Sequence, residues 1–421
     1  MRYLKESKRS PAQSMRAVEG TVTEILRQVE TDGEAAVREY AERLDGYGGE
    51  ILLEATQVAA RAELVDAQLK ADVDAAHRRI EAFATAQRDS IREFEVELEP
   101  GLVAGQRLIP VECAGCYVPG GRYAHVASAL MSLTTAKVAG VDHVVVATPP
   151  REGDLDPAIA YAVQKSGADH VLLAGGVQAV AAMAYGAFTG VRADMLVGPG
   201  NRYVAEAKRQ LYGQVGIDMI AGPTEILVVA DDSADADLVA IDLVGQAEHG
   251  PDSPAWLVTT DEALGRAVME KVPPLIEALP EPSRSAARTA WAEFGEVVVV
   301  DDRAAAVRKS DEYAPEHLEI HARDLDDWLA QLRNYGSLFL GPETNVTYGD
   351  KCSGPNHILP TRGVARYSGG LSVHKFMKKL TWQRMTLDAS AKMAHEAARL
   401  SRAEGMEAHA RGADARVRDD S

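Results

Sequence analysis

Cysteine is scarce in this chain. Cys113, Cys116 and Cys352 are the only three among 421 residues, too few for a disulfide framework and in keeping with a reducing cytoplasm. No uncharged apolar run reaches the roughly 18 residues of a membrane-spanning helix. The opening "MRYLKESKRSPAQ" has no apolar core of a signal peptide. Positive charge is in deficit, with a formal net charge of −18, which argues against a general nucleic-acid binder. An anionic ligand must therefore be met by local cations, not by the overall field. Cys113 and Cys116 form a C-x-x-C without a second pair, and Pro119-Gly120-Gly121 follows at once; they read as two small apolar residues. No solenoid repeat, low-complexity segment or G-x-G-x-x-G fingerprint occurs.

What is present is an ordinary globular composition, 46% hydrophobic and 26% charged, in a chain long enough for more than one core. Residues 1–108 carry helical spacing, as in "VTEILRQVETDGEAAVREYAERL". From about 109 short apolar runs alternate with helices: "CAGCYVPGG", "HVASALMSLTTAKVAG", "HVVVATPP", "DPAIAYAVQKSG", "HVLLAG", "VQAVAAMAYG", "ADMLVGPG". A second series follows with "EILVVADD", "AWLVTTD", "GEVVVVDD", "APEHLEIHA" and "YGSLFLG". Strands alternating with helices of this length predict βαβ units and parallel sheets. The expected fold is α/β, with two Rossmann-like lobes at 109–230 and 231–365. A helical region, 1–108, contributes to the first lobe, and a charged helical tail covers 366–421. Gly-rich turns at 118–123, 173–178 and 197–203 follow strands and offer backbone N–H groups to an anion.

Four places combine metal-ligand residue types with helix or strand ends. Gln246 and His249 lie three apart at the end of a helix that breaks at Gly250-Pro251, so they share a face. Glu316 and His317 are adjacent after Pro315. Asp350 and His357 stand among turn residues in "YGDKCSGPNHILPT", and Glu404 and His409 stand in "AEGMEAHARG". Each has a bland alternative: a histidine favoured by a helix dipole, a capping aspartate, a solvated tail residue. Together, imidazole, carboxylate and amide oxygen suit zinc or manganese.

"IDMIAGPTEILV", residues 217–228, closely resembles the signature of the histidinol dehydrogenase family. "YVPGG", "GGVQAVAAMAYG", "GPGNRYV", "GQAEHG", "PEHLEI", "SGPNHILPT" and "AEGMEAH" recur in that family's order along nearly the whole chain. The resemblance implies an intertwined homodimer with the C-terminal tail exchanged between subunits. It implies one zinc per subunit on Gln246, His249, Asp350 and His409, the last supplied by the partner subunit. It further implies Glu316 and His317 as the acid–base pair, and NAD contacts at Tyr117, Gln178 and Asn201. Thr224, Lys351, His357 and Glu404 become substrate contacts. Such enzymes oxidise a primary alcohol to a carboxylate in two NAD-dependent steps without releasing the aldehyde.

The chain departs from the histidine-pathway pattern near the substrate. After Asp350 stands Lys351-Cys352-Ser353-Gly354 in place of Tyr-Ala-Ser-Gly. The start "MRYLKESKRS" and the segment "SGGLSVHKFMKKLTWQRMT", with Trp382, Gln383 and Arg384, look more like the sulfopropanediol 3-dehydrogenase branch. That likeness implies an anionic diol, 2,3-dihydroxypropane-1-sulfonate, oxidised to 3-sulfolactate. L-histidinol is the alternative substrate, and a non-catalytic NAD-binding relative is a further alternative.

Overall fold

Short apolar runs become strands, and the amphipathic segments between them become the helices that cover those strands. The computed structural model describes residues 1–8, 16–120, 124–220 and 222–417. Gly121, Arg122 and Tyr123 of the first Gly-rich turn, and Ala221 of the "IDMIAGPTE" stretch, lie outside the described residues. The chain divides into one unit of Met1–Arg88 with Val111–Phe376 and another of Asp89–Pro110 with Met377–Ser421.

In chain order the first strands are β1 (Arg2–Lys5), β2 (Leu52–Leu53), β3 (Phe94–Glu99), β4 (Leu102–Pro110) and β5 (Cys113–Tyr117). Next come β6 (His143–Thr148), β7 (His170–Leu173), β8 (Met195–Val197), β9 (Gly216–Ile217) and β10 (Ile226–Ala230). The last are β11 (Ala255–Thr259), β12 (Glu296–Val299), β13 (His317–His321), β14 (Ser337–Leu340) and β15 (Met377–Met385).

The larger unit holds two six-stranded sheets, ordered β2-β7-β6-β5-β8-β9 and β1-β12-β11-β10-β13-β14. Their internal pairings are parallel, and the edge strands β2 and β1 alone run antiparallel. Strands such as β6 (HVVVAT) and β10 (ILVVA) are buried along nearly their whole length, as helices on both faces require. The connecting helices begin and end on local signals. Asp156 caps Pro157–Ser166 by accepting hydrogen bonds from the N–H groups of Ala158 and Ile159 at 2.9 and 3.3 Å, and Gly167 ends the helix at φ 75°. The expected α/β architecture of two parallel-sheet lobes is present.

Several strands fall where composition reads as helix. β1 pairs with β12 at the edge of the second sheet, and β2 pairs with β7 in the first. In the smaller unit β15 (MKKLTWQRM) lies along β4, with Met377 opposite Pro110 and Met385 opposite Leu102, and β3 flanks β4 on its other side. The tail after residue 366 is thus part strand. Its Lys, Gln and Arg content masks the signal, and partners more than 260 residues away in sequence supply the pairing. The helices Leu387–Ala403 and Glu407–Asp414 then pack on each other.

A buried ion pair sits beneath the loop after β8. Lys208 and Asp218 are 3% and 0% exposed at their side chains. Lys208 Nζ also donates to the Gly198 carbonyl at 2.9 Å. The Asp218 carboxylate accepts from the N–H groups of Gly198 and Met219 at 2.8 and 2.6 Å. Gly198 has φ 114° with no room for a Cβ, which would stand 2.0 Å from the Tyr117 carbonyl oxygen. Removing one partner strands the other charge in the interior, so Asp218→Ala is expected to cost about 3–5 kcal/mol. Urea unfolding checks this, and a loss below about 1 kcal/mol would remove Asp218 as the anchor of the loop.

Candidate active site

The first sheet reverses its strand order at β5, which has β6 on one side and β8 on the other. Ligands of open α/β sheets bind at such switch points, beyond the carboxyl ends of the strands. A cavity of about 880 Å³ opens there, lined among others by Tyr117, Gly120, Pro149, Gly175, Gln178 and Asn201. Tyr117 Oη accepts from the Gly176 N–H at 3.0 Å. Asn201 caps its helix by accepting from the N–H groups of Tyr203 and Val204. Gln178 is fully buried and donates to Asp45 at 3.1 Å, leaving its Oε1 without a partner. The three residues expected to touch NAD thus line one pocket.

The second sheet carries its polar cluster at the opposite, amino, end of its strands. Parallel pairing places Ile226 beside His317, so Thr224 and Glu225, just ahead of β10, lie against Glu316 and His317 at the start of β13. Gln246 comes from the last turn of the helix Ala236–Ala247. Its Nε2 donates to Thr224 Oγ1 at 2.6 Å, and Thr224 Oγ1 donates to Glu316 Oε2 at 2.6 Å. The Glu225 N–H donates to the same oxygen at 3.0 Å. His317 Nδ1 lies 3.0 Å from the Glu225 carbonyl oxygen. A carbonyl can only accept, so Nδ1 carries a proton and the neutral ring presents its lone pair at Nε2. That Nε2 is buried without a hydrogen-bond partner, 3.6 Å from Asp350 Oδ1.

Asp350 stands on the short helix Val346–Lys351. His357 donates from Nδ1 to the Asp350 carbonyl at 2.9 Å and accepts at Nε2 from the Ser128 hydroxyl at 2.9 Å. Both of its ring nitrogens are therefore engaged, and direct contact with a substrate would need one of these bonds to give way. His249 is crowded by protein yet open to solvent, and Lys351 is exposed.

Burial and charge tune these groups together. Burial pushes the Glu316 carboxyl up to about 7, against the pull of the His317 ring and the Thr224 and Glu225 hydrogen bonds. Burial works to lower His317, but the carboxylates of Glu316 and Asp350 outweigh it and raise the ring. Asp350 is also opposed by burial, yet His317, His357 and His249 hold its carboxyl well below the usual range. His357 is pushed down to about 4 by burial, with the Lys351 charge adding to the effect and Asp350 opposing it. Beneath the cluster Glu225 is raised to about 8 by burial and then by the Glu316 charge.

Of the expected site residues, Thr224, Gln246, His249, Glu316, His317, Asp350, Lys351 and His357 belong to the larger unit, as do Tyr117, Gln178 and Asn201. Glu404 and His409 belong to the smaller unit, at the end of one helix and within the next, both exposed. Sequence reading passed over Asp45, which holds Gln178 and the Gly175 N–H, and Glu225, which orients His317. The latter stood in the quoted signature, but only the pairing of β10 with β13 brings it beside "PEHLEI".

The histidinol dehydrogenase family model matches residues 8–417. A histidinol dehydrogenase homolog from Ruegeria pomeroyi is 56% identical over 93% of this chain and 91% of its own length. The sulfopropanediol 3-dehydrogenase of Ruegeria pomeroyi is 50% identical over 99% of this chain and 96% of its length. The histidinol dehydrogenase of that organism is 41% identical over 95% and 92%. The crystal structure of histidinol dehydrogenase from Elizabethkingia anophelis superposes with a TM-score of 0.91 at 32% identity, covering 98% of this chain and 94% of that one. The chain belongs to the histidinol dehydrogenase family, whose members are NAD-dependent, zinc-binding oxidoreductases, and it is an enzyme of that family. The alternative of a non-catalytic relative is set aside. Among the described residues no helix is long and apolar enough to cross a membrane.

Proposed function

We propose that the chain is a cytoplasmic zinc- and NAD-dependent dehydrogenase that oxidises a primary alcohol to a carboxylate in two hydride transfers, with 2,3-dihydroxypropane-1-sulfonate as substrate and 3-sulfolactate as product. The observation that carries this reading is the hydrogen-bonded chain from Gln246 through Thr224 to Glu316. It leaves Gln246 Oε1 and His317 Nε2 as buried polar atoms without partners. An orphaned amide oxygen, the strongly acidic Asp350 and the open His249 are a donor set that fits zinc. Gln246, His249 and Asp350 would hold it, with His409 of the partner subunit as fourth ligand. Zinc, when bound, supplies Lewis-acid polarisation of a substrate oxygen. A dimer is supported by β3 in the smaller unit, where alternate residues Phe94, Val96 and Leu98 present an exposed apolar face. NAD would occupy the cavity at the β5 switch point.

His317, with one proton fixed on Nδ1, offers Nε2 in its deprotonated form to receive the alcohol proton in each oxidation. Since the flanking carboxylates raise the ring to about 9, that form gains as pH rises. Glu316 takes the proton of the water that attacks the aldehyde, and Thr224 and the Glu225 N–H hold its carboxylate in place. Lys351 makes no salt bridge among the described residues, yet its charge is felt at His125, His249 and His357. An unpaired cation one residue from Asp350 suits a sulfonate and repels the ammonium of histidinol. Greater identity to the sulfopropanediol enzyme than to the histidinol enzyme of one organism points the same way. L-histidinol is the second reading, favoured by the close superposition on a histidinol dehydrogenase.

A carboxyl raised to about 7 is protonated below that pH and can accept a proton only above it. The aldehyde step should therefore speed up as pH rises through about 7. Glu316→Gln is expected to abolish that limb, slow the aldehyde step about 100-fold or more, and spare a single NADH burst from the alcohol. Stopped-flow measurement with alcohol and aldehyde supplied separately checks this, and a loss under about tenfold removes Glu316 from the step. For the substrate, Lys351→Tyr should lower kcat/KM for dihydroxypropanesulfonate by roughly ten- to a hundredfold and leave any histidinol turnover unchanged or improved. A wild-type enzyme that turns over histidinol efficiently and ignores the sulfonate overturns the anionic reading. For the shared site, mixing inactive His409→Ala with inactive His317→Ala protomers should restore activity, since each mixed dimer holds one intact site. No recovery in isolated heterodimers would place ligation within one chain.

A further inference from the structure

β13 reads H-L-E-I-H, and its alternation points His317, Glu319 and His321 to one face of the second sheet, with Leu318 and Ile320 on the other. His317 is used in the chemistry described above. The other two are not, although they are buried to 0% and 2% exposure in a core otherwise built from residues such as Val228, Ala230 and Val239. Facing them is Asp242, one helical turn before Gln246 on the helix Ala236–Ala247. His321 Nε2 lies 3.6 Å from Asp242 Oδ2 and 3.5 Å from Glu319 Oε2, and one ligand atom from each of the three residues falls within 4.8 Å of the others.

These separations are too long for a hydrogen bond from His321 to either carboxylate, while burial and then the neighbouring Glu319 raise the Asp242 carboxyl to about 6. Glu319 Oε2 and both ring nitrogens of His321 have no hydrogen-bond partner. Unpartnered buried polar atoms are costly, and two of them, Glu319 Oε2 and His321 Nε2, face each other beside Asp242 Oδ2. Two metal–ligand bonds of about 2.1 Å meeting at a tetrahedral angle put their donor atoms roughly 3.4 Å apart, close to the spacing found here. The remaining carboxylate oxygens are held from behind: Asn345 Nδ2 donates to Asp242 Oδ1 at 3.0 Å, and the Val346 N–H donates to Glu319 Oε1 at 2.8 Å. Ligating carboxylates are commonly oriented in this way, by hydrogen bonds to the oxygen that faces away from the ion.

We propose that Asp242, Glu319 and His321 form a second divalent-cation site, distinct from the one at Gln246, His249 and Asp350, that takes a zinc- or manganese-class ion. One imidazole nitrogen and two carboxylate oxygens are the donor chemistry of that class. The site is structural. Its two supporting donors, Asn345 and the Val346 N–H, begin the short helix that ends in Asp350 and Lys351, so an ion here fixes the base of the element that presents both residues to the active site.

Metal counting on the full-length enzyme tests this. Protein loaded separately with Zn²⁺ and with Mn²⁺, then dialysed, should hold two ions per chain by elemental analysis with at least one of them. His249→Ala, which disables the active-site ligand set, should keep one ion. Asp242→Asn, conservative and only part-buried, should also keep one, and the double variant none. The ion retained by His249→Ala should raise the thermal midpoint, and adding it to the Asp242→Asn/His249→Ala chain should not. One ion per chain in the wild type that is lost in His249→Ala overturns the second site while leaving the active-site reading intact. One ion that survives His249→Ala and is lost in Asp242→Asn does the reverse.

Discussion

The alignment of β10 with β13 is the constraint on which the rest of the second lobe depends. With Ile226 opposite His317, the two residues before β10 meet the two residues that open β13, and every hydrogen bond of the Thr224–Glu225–Glu316–His317 cluster follows. A slip of one residue would turn His317, Glu319 and His321 to the other face and put Leu318 and Ile320 where the polar groups now lie. The dry apolar packing on both faces of the sheet makes such a slip costly. Ordinary core residues thereby hold the register of the polar cluster.

The two lobes use their sheets in opposite senses. The first follows the usual rule for open α/β sheets, with its cavity at the carboxyl ends of the strands where their order reverses. The second gathers its buried polar cluster at the amino ends, fed by a helix C-terminus and two loops. An enzyme that must pass hydride to one ligand and move protons on another needs two binding environments of different character. The cavity lined by Gly120, Pro149 and Gly175 is shaped by backbone and small residues. The cluster around Glu316 is shaped by charge.

Local chemistry made much of this legible in the sequence. Alternating strand and helix texture gave both parallel sheets, and Gln246 with His249 at a helix end, Glu316 with His317 after Pro315, and Asp350 before a turn stood out as reactive residue types in punctuated places. What stayed hidden depended on distant partners. β15 reads as a charged tail until β4 is beside it. Asp218 is one acid among many until Lys208 is found beneath Gly198. Asp45 gains meaning only through Gln178 and Gly175. The burial of Glu319 and His321 in "HLEIH" depends on the helix carrying Asp242, which nothing in the strand's own sequence reports.

His357 carries a mechanical consequence. One ring nitrogen holds the main chain at Asp350, on the short helix that follows the second sheet, and the other holds Ser128, on the helix Val126–Ala139 of the first lobe. That imidazole works as a rivet between the lobes. A hinge that opened them like jaws would have to break one of these two part-buried bonds, and the lost partner is costly. The same imidazole thus ties the element that carries Asp350 and Lys351 to the helix Val126–Ala139.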